Sequence, residues 1–394
     1  MVKFGYIQKN TIMNTTRRGF LATATKGVAA ASVAPLLFSS LGEPLYAGNS
    51  EPTTSSNIPD MQPENLEANK DHYRIPHKIG MGGVALGNAF FETPDQQAYD
   101  TMKAAWDAGI RYFDTSPWYG LGLSERRIGH FLRDKDQKDY VVSTKVGRLT
   151  YPDASFKHDM WKGRLNFNYK YDYTADGVRR SVEDSLQRLG IPALDVVFIH
   201  DLSPDNKDLG DKWEDYFKIA QNGAMKELTK MREEGLIKGW GLGVNTIAPA
   251  LKTLEVADPD VFLSATKYSL IYHKDALNQL FPACEKRGVS IVSGAPLNAG
   301  FLAGVDRYHY DGKLPQEHVA KREKLRNVAK DHQVDLRTAA LQFTVAPKVM
   351  ASTIPGARSP KQVQENAESM KVKIPADFWK ELKKEKLIEE NAPV

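Results

Sequence analysis

From Ile79 onward the chain alternates short apolar runs with longer segments whose apolar positions recur every three to four residues. The short runs, rich in Val, Ile and Phe and bounded by turn residues, predict buried strands at 82–86, 110–114, 140–145, 194–199, 238–244, 261–266, 289–293 and 350–354. The helical spacing between them predicts amphipathic helices, for example Gln96 to Ala108, Ala175 to Leu189 and Lys274 to Arg287. Gly109, Gly190, Gly235 and Gly288 stand where such helices end and a left-handed cap is needed. Eight strand–helix units in succession predict an α/β fold of the (β/α)8 TIM-barrel type. No G-x-G-x-x-G follows the first strand, which argues against a doubly wound dinucleotide fold.

Before Ile79 the pattern is different. Thr16-Arg17-Arg18-Gly19-Phe20-Leu21 reads as a twin-arginine motif, followed by a mildly apolar stretch from Gly27 to Leu41. That stretch is too short, and too rich in Ala and Ser, for a transmembrane helix. Cleavage after Ala47 leaves no membrane anchor, and the missing downstream cysteine excludes a lipoprotein. Met13 serves equally well as a start, since the preceding residues add nothing to the signal. Residues 48–72 are polar and proline-bearing, with too little apolar content to order themselves. The chain therefore divides into a signal segment (1–47), a flexible leader (48–72) and a barrel domain (73–394). The predicted destination is the periplasm, by way of the twin-arginine export machinery.

Charge changes the picture only by being removed from it. The formal net charge is +4, but residues 1–47 hold five Lys/Arg and one acidic residue, so the remainder carries 48 of each sign. Nothing basic is left to recognise nucleic acid. The single cysteine, Cys284, excludes an internal disulfide and any cysteine-based metal cluster, and fits the buried face of a helix. No metal site is assigned, and oligomeric state leaves no mark in the sequence.

The chemistry gathers at strand ends. RYFDTSPWYG (111–120) delivers Asp114 at the end of one predicted strand and Tyr119 five positions on. YVVSTKVG closes a second apolar run with Lys145, and LDVVFIHD closes a third with His200. A buried cation costs several kcal/mol unless it is paired, so a Lys and a His closing β-branched strands are poor core filling. In a barrel these positions face the C-terminal mouth, where active sites sit. Three long excursions leave the same mouth, 148–174, 201–222 and 297–318, and loops of that length act as lids or substrate walls. The first carries Phe156, Trp161, Phe167, Tyr169 and Tyr171, which serve equally as a sugar-stacking wall or as a small core beneath the loop.

Asp114, Tyr119, Lys145 and His200 together resemble the catalytic tetrad of the aldo-keto reductase superfamily. The resemblance runs from about Ile79 to Ile388 and is closest to the aldose 1-dehydrogenase branch, carried by YDYTADGVRRSVEDSLQRLG (171–190), AALQFTVAPKVMASTIPGARSPKQVQEN (339–366) and IPADFWKELKKEKLI (374–388). It implies an NADP- or NAD-dependent oxidoreductase acting on a small sugar or aldehyde. Tyr119 would be the acid/base, its pKa lowered by Lys145, which Asp114 holds, and His200 would orient the substrate oxygen. For an aldose the reacting group would be the C1 hemiacetal and the product a lactone. The resemblance further implies cofactor roles for Asn245 at the carboxamide, for Pro296, Leu297 and Asn298 over the pyrophosphate, and for Gly356, Arg358, Gln362 and Asn366 at the adenosine. Two positions depart from the family pattern: Ala265 stands where a carboxamide-binding glutamine is usual, and Gly294 where a tyrosine stacks on the nicotinamide. Gln362 replaces a more usual arginine, so NADP and NAD both stay open. A general aldehyde or ketone reductase and a non-catalytic nicotinamide-binding partner protein are the rival readings. Export already folded would favour a cofactor loaded in the cytoplasm and retained through turnover.

Overall fold

The protein is described by a computed structural model covering residues 72–310 and 312–394; the predicted twin-arginine segment, the predicted cleavage site at Ala47 and nearly all of the predicted leader lie outside the described residues. Among the described residues ten strands follow in chain order: β1 (Met81–Gly82), β2 (Tyr112–Asp114), β3 (Val141–Val146), β4 (Arg148–Pro152), β5 (Phe167–Tyr171), β6 (Val196–His200), β7 (Gly239–Val244), β8 (Val261–Ala265), β9 (Ser290–Gly294) and β10 (Met350–Ile354). Eight of them form one parallel sheet in the order β1-β2-β3-β6-β7-β8-β9-β10. Parallel bridges Ile79–Thr353 and Gly82–Gly356 join its two edges, so the sheet closes into the expected (β/α)8 barrel.

The helices are α1 (Asp95–Asp107), α2 (Leu123–Leu132), α3 (Ala175–Leu189), α4 (Trp213–Asn222), α5 (Ala224–Glu233), α6 (Ala248–Val256), α7 (Phe281–Arg287), α8 (Gln316–Asp331), α9 (Leu336–Val345), α10 (Pro360–Ser369) and α11 (Ala376–Lys384). Every barrel strand is buried on both faces. Inward residues such as Tyr112, Phe198, Val261 and Val292 fill the barrel, with Ile75 from the segment before β1 among them. Outward residues pack under the helices. This two-sided burial is why the strands read as continuous apolar runs rather than as alternation. The four glycines expected to end helices all have positive φ, between 65° and 87°, and Gly190 donates back to Leu186 O as a C-cap.

Three expectations are corrected in detail. The first strand is not 82–86. Pairing with β2 stops at Gly82, and Ala85–Gly87 forms a 3-10 turn that ends in a left-handed Asn88. The segment Lys274 to Arg287 is not a uniform α-helix, for Ala276–Leu280 is a π-turn and α7 starts at Phe281. Pro282 explains the change, because it has no N–H to donate to the preceding turn. The 148–174 excursion is not an irregular loop but an antiparallel hairpin of β4 and β5.

Candidate active site

Asp114 ends β2, Lys145 lies in β3 and His200 ends β6, which places all three at the C-terminal mouth on neighbouring strands. Tyr119 joins them from the loop after β2. Its position depends on Gly120, which has φ +64°, and where a Cβ would lie 2.5 Å from Gly87 O. Only glycine allows this close crossing of the two loops.

Lys145 Nζ donates to both carboxylate oxygens of Asp114, at 2.9 and 2.8 Å, and to Thr115 O at 2.8 Å. Three acceptors around one nitrogen match the three N–H donors of an ammonium, so the pair is read as charged. Both side chains are almost fully buried. Burial pushes Asp114 up and Lys145 down, and each is opposed by the other's charge. Behind Asp114, Ser143 donates to its Oδ1 at 2.7 Å and meets Tyr112 OH at 2.9 Å.

The Lys145 ammonium lies 4.6 Å from the centroid of the Tyr119 ring. The expectation that it lowers the phenol's pKa is overturned: the phenol is pushed well above its ordinary 10, by burial first and then by the charge of Asp114. Lys145 spends its charge on Asp114, leaving burial to decide. Tyr119 is thus held protonated, and its hydroxyl makes no hydrogen bond among the described residues.

His200 is buried, 5.9 Å from Tyr119 ring to ring. Its Nδ1 meets Ser116 Oγ at 3.1 Å and Arg148 Nη1 at 3.3 Å, while Nε2 lies 3.6 Å from Asp201 Oδ2. Burial, then Arg148 and Lys145, holds its pKa well below 6.5, so it is neutral at physiological pH. Ser116, Arg148 and Asp201 are residues that sequence reasoning missed. Two carried a signal: Arg148 stands three positions after Lys145, and Asp201 directly follows His200.

The aromatic residues of the first excursion form a small core. Trp161 and Leu165 are buried with Trp118, Tyr119 and Leu121, and Phe156, Phe167 and Tyr169 pack at its edge. Trp118 sits edge-on to both Trp161 and Tyr169. This core walls one side of Tyr119.

The residues assigned to a cofactor lie across the mouth, beyond β7, β9 and β10. Asn245 follows β7 and donates to Asp205 Oδ2 at 3.1 Å. Pro296, Leu297 and Asn298 turn sharply after β9, with Asn298 at φ +49°. Asn298 is fully buried, yet among the described residues neither its Nδ2 nor its Oδ1 has a partner. Two orphan amide atoms at a tight turn fit a group that brings both donors and acceptors, as a dinucleotide does. Arg358 stacks on Phe91 at 4.4 Å and accepts at its backbone O from Gln97. Gln362 accepts from the Arg358 N–H at 2.9 Å, Asn366 is buried on α10, and Gly356 is exposed beside Gly82. Arg307, from the third excursion, stacks on Phe90 at 4.0 Å and donates to Ala299 O. Phe90 in turn donates its N–H to Met160 O, so the first and third excursions meet on one residue. At Gly294 a Cβ would meet Leu263 at 2.8 Å and Ala265 at 3.1 Å, which leaves no room for a stacking ring there. The unmatched Asn298 amide at the turn fits a nicotinamide dinucleotide, which would be held without that ring.

The barrel and its mouth place this chain in the aldo/keto reductase family, whose profile matches residues 78–386. The chain belongs to that family of NAD(P)-dependent oxidoreductases. Among curated relatives, a D-threo-aldose 1-dehydrogenase from Pseudomonas sp is 35% identical over 321 residues, covering 79% of this chain and 94% of the relative. A pyridoxal 4-dehydrogenase from Microbacterium luteolum is 36% identical over 326 residues, with the same coverage. Among solved structures, a holo aldo-keto reductase from Bacillus halodurans has a TM-score of 0.61 at 21% identity, covering 80% of this chain and 95% of its own. An aldo/keto reductase from Klebsiella pneumoniae, in complex with NADP and acetate, has a TM-score of 0.55 at 18% identity, covering 80% and 94%.

Proposed function

We propose that this chain oxidises a neutral aldose, such as L-fucose or D-arabinose, at C1 to its lactone. The observation that carries this reading is charge balance. Lys145 is matched by Asp114 and Arg148 by Asp201, both within 3 Å, and His200 is neutral. No cation among these groups is left for a carboxylate or phosphate substrate, whereas the Tyr119 hydroxyl and His200 face the mouth as partners for a hydroxyl or carbonyl oxygen. The nicotinamide, when bound, supplies the hydride acceptor. The protein's own part is to bind the C1 oxygen between Tyr119 and His200, to move its proton through Tyr119, and to keep water out with the aromatic hairpin. The 35% identity to a D-threo-aldose 1-dehydrogenase supports the same choice.

Pyridoxal is the second reading. It is favoured by the 36% identity to a pyridoxal 4-dehydrogenase and by the rings of Trp118 and Tyr169 beside the site, which suit a flat heterocycle. The test is a panel of L-fucose, D-arabinose, pyridoxal, and aliphatic and aromatic aldehydes, each with NAD and with NADP. Turnover of aldoses above the rest is expected. Efficient reduction of simple aldehydes with no aldose turned over would replace this reading with a general reductase.

The twin-arginine segment further leads us to propose that the folded enzyme is exported with its cofactor already bound, and retains it through turnover. Retention through purification means a nanomolar or tighter constant, on the order of 12 kcal/mol. A second, reducible substrate must then re-oxidise the bound cofactor, giving ping-pong kinetics. Protein isolated from the periplasm without cofactor, and dependent on added NAD or NADP at every turnover, would rule retention out.

A further inference from the structure

We propose that Arg148 is a positioning residue that holds His200 in the tautomer with its proton on Nε2, and that Asp201 holds Arg148 in place to do so. The proposal rests on the reading of Tyr119 and His200 as the pair facing the substrate oxygen, and adds a residue which that reading leaves without a role.

Arg148 is the first residue of β4, so the hairpin that walls the site also delivers a cation beside it. Its guanidinium is buried, and stacks within 4.8 Å of Trp118 and 4.9 Å of Tyr171. Nη1 lies 2.9 Å from Asp201 Oδ2 and 3.3 Å from His200 Nδ1, and Nη2 donates to Tyr171 OH at 2.9 Å. These contacts fix the plane of the fork.

A guanidinium has only donors and keeps its proton throughout the working range. The imidazole nitrogen that faces it must therefore offer a lone pair. Ser116 agrees: its Oγ accepts the Trp118 N–H at 3.1 Å, which leaves its own O–H to donate to the same Nδ1. With Nδ1 bare, a neutral ring carries its proton on Nε2. Asp201 Oδ2, at 3.6 Å, is too far to take that N–H as a strong hydrogen bond, so Nε2–H stays available to a substrate oxygen. A doubly protonated ring would set an N–H against the Arg148 N–H. The charged and titratable groups facing His200 are Lys145 from β3, Arg148 from β4, Tyr119 from the loop after β2, and Asp201 beside it in the chain; Tyr173 donates its hydroxyl to the His200 backbone O. Of these only Arg148 both touches Nδ1 and carries charge.

The direct measurement needs no variant. In 15N-histidine-labelled protein with NADP bound, the His200 resonances, assigned by their loss in His200→Gln, should show one neutral form with Nε2 protonated from pH 8 to below 6. Protonation on Nδ1, or titration near 6.5, would overturn the proposal. Arg148→Met leaves Asp201 facing His200 unpaired, so mixed tautomers and a new acid limb in the rate profile near neutrality are expected. Turnover should fall on the order of tenfold to a hundredfold, short of the hundredfold to ten-thousandfold for loss of a proton-transfer group. Cofactor affinity should not change. In Arg148→Met/Asp201→Asn the acid limb should disappear while the tautomers stay mixed. Arg148→Lys, which keeps the charge without the fork, should recover only part of the rate. A single Nε2–H form with wild-type turnover in Arg148→Met would show that the guanidinium merely packs the hairpin.

Discussion

Between β2 and β6, on the substrate side of the mouth, Lys145 and Arg148 each have a carboxylate within 3 Å, and Ser116 and Ser143 complete the contacts around them. Between β7 and β10, on the side of the candidate cofactor residues, the opposite holds. Arg307 and Arg358 form no ion pair among the described residues, and burial and the neighbouring Arg358 both lower the pKa of Arg307. Among the described residues, Asn298 is buried with its amide unmatched and Arg307 Nε has no partner. The same barrel end therefore holds one region that is electrostatically complete by itself and one that carries a surplus of donors. A site that stabilises charge on a small neutral substrate works best when its dipoles are already in place. A groove for a ligand that brings several phosphate charges must instead keep its cations unpaired.

The largest expected effect breaks the substrate side at its centre. Tyr119→Phe should lower turnover by roughly two to four orders of magnitude and leave cofactor affinity within a few-fold. Turnover close to wild type would remove Tyr119 from proton transfer altogether. The wild-type enzyme should also show a directional pH dependence. Because burial and Asp114 hold the phenol protonated, the base form needed for aldose oxidation is the minority at neutral pH, so oxidation should speed up as pH rises. Carbonyl reduction, which needs the acid form, should not.

A stability comparison sharpens the contrast. Lys145→Met strands Asp114 in the barrel interior, and removing one member of a buried pair costs about 3–5 kcal/mol. Lys145→Met/Asp114→Asn should recover part of that loss. On the other side, Arg358→Met abandons no carboxylate and loses only its stacking on Phe91, so its change in stability should stay within about 1 kcal/mol. Equal losses in urea titrations of the two single variants would mean that the two sides are not built differently.

This contrast also marks how far the chain could be read unaided. Asp114, Lys145 and His200 close apolar strands, and a polar group in that place is conspicuous because core filling cannot explain it. The hairpin was hidden, because Arg148–Pro152 and Phe167–Tyr171 mix polar and aromatic residues and are joined by a long connection. Arg148 went unassigned for the same reason, as the first residue of a segment read as loop. The direction of the Tyr119 shift could not be read at all. It depends on how deeply the phenol is buried and on which neighbour claims the Lys145 charge, and both are facts of packing rather than of spacing.

The smallest effect tests the cofactor side by itself. Arg307 touches none of Asp114, Tyr119, Lys145 or His200, yet its guanidinium lies over Phe90, the residue on which the first and third excursions meet. Arg307→Ala removes a cation–π contact of about 0.5–2 kcal/mol. If that contact helps close the groove, cofactor should bind roughly two- to thirtyfold more weakly by fluorescence titration. Turnover at saturating cofactor should not change, since the substrate side is already complete. Phe90→Ala should weaken binding to a similar degree, because it removes the other half of the contact. An equal loss for NAD and NADP would place the effect on the part the two cofactors share, whereas a loss confined to NADP would place Arg307 at the 2′-phosphate. A fall in turnover with both affinities unchanged would move Arg307 to the substrate side, and the division drawn across the mouth would fail.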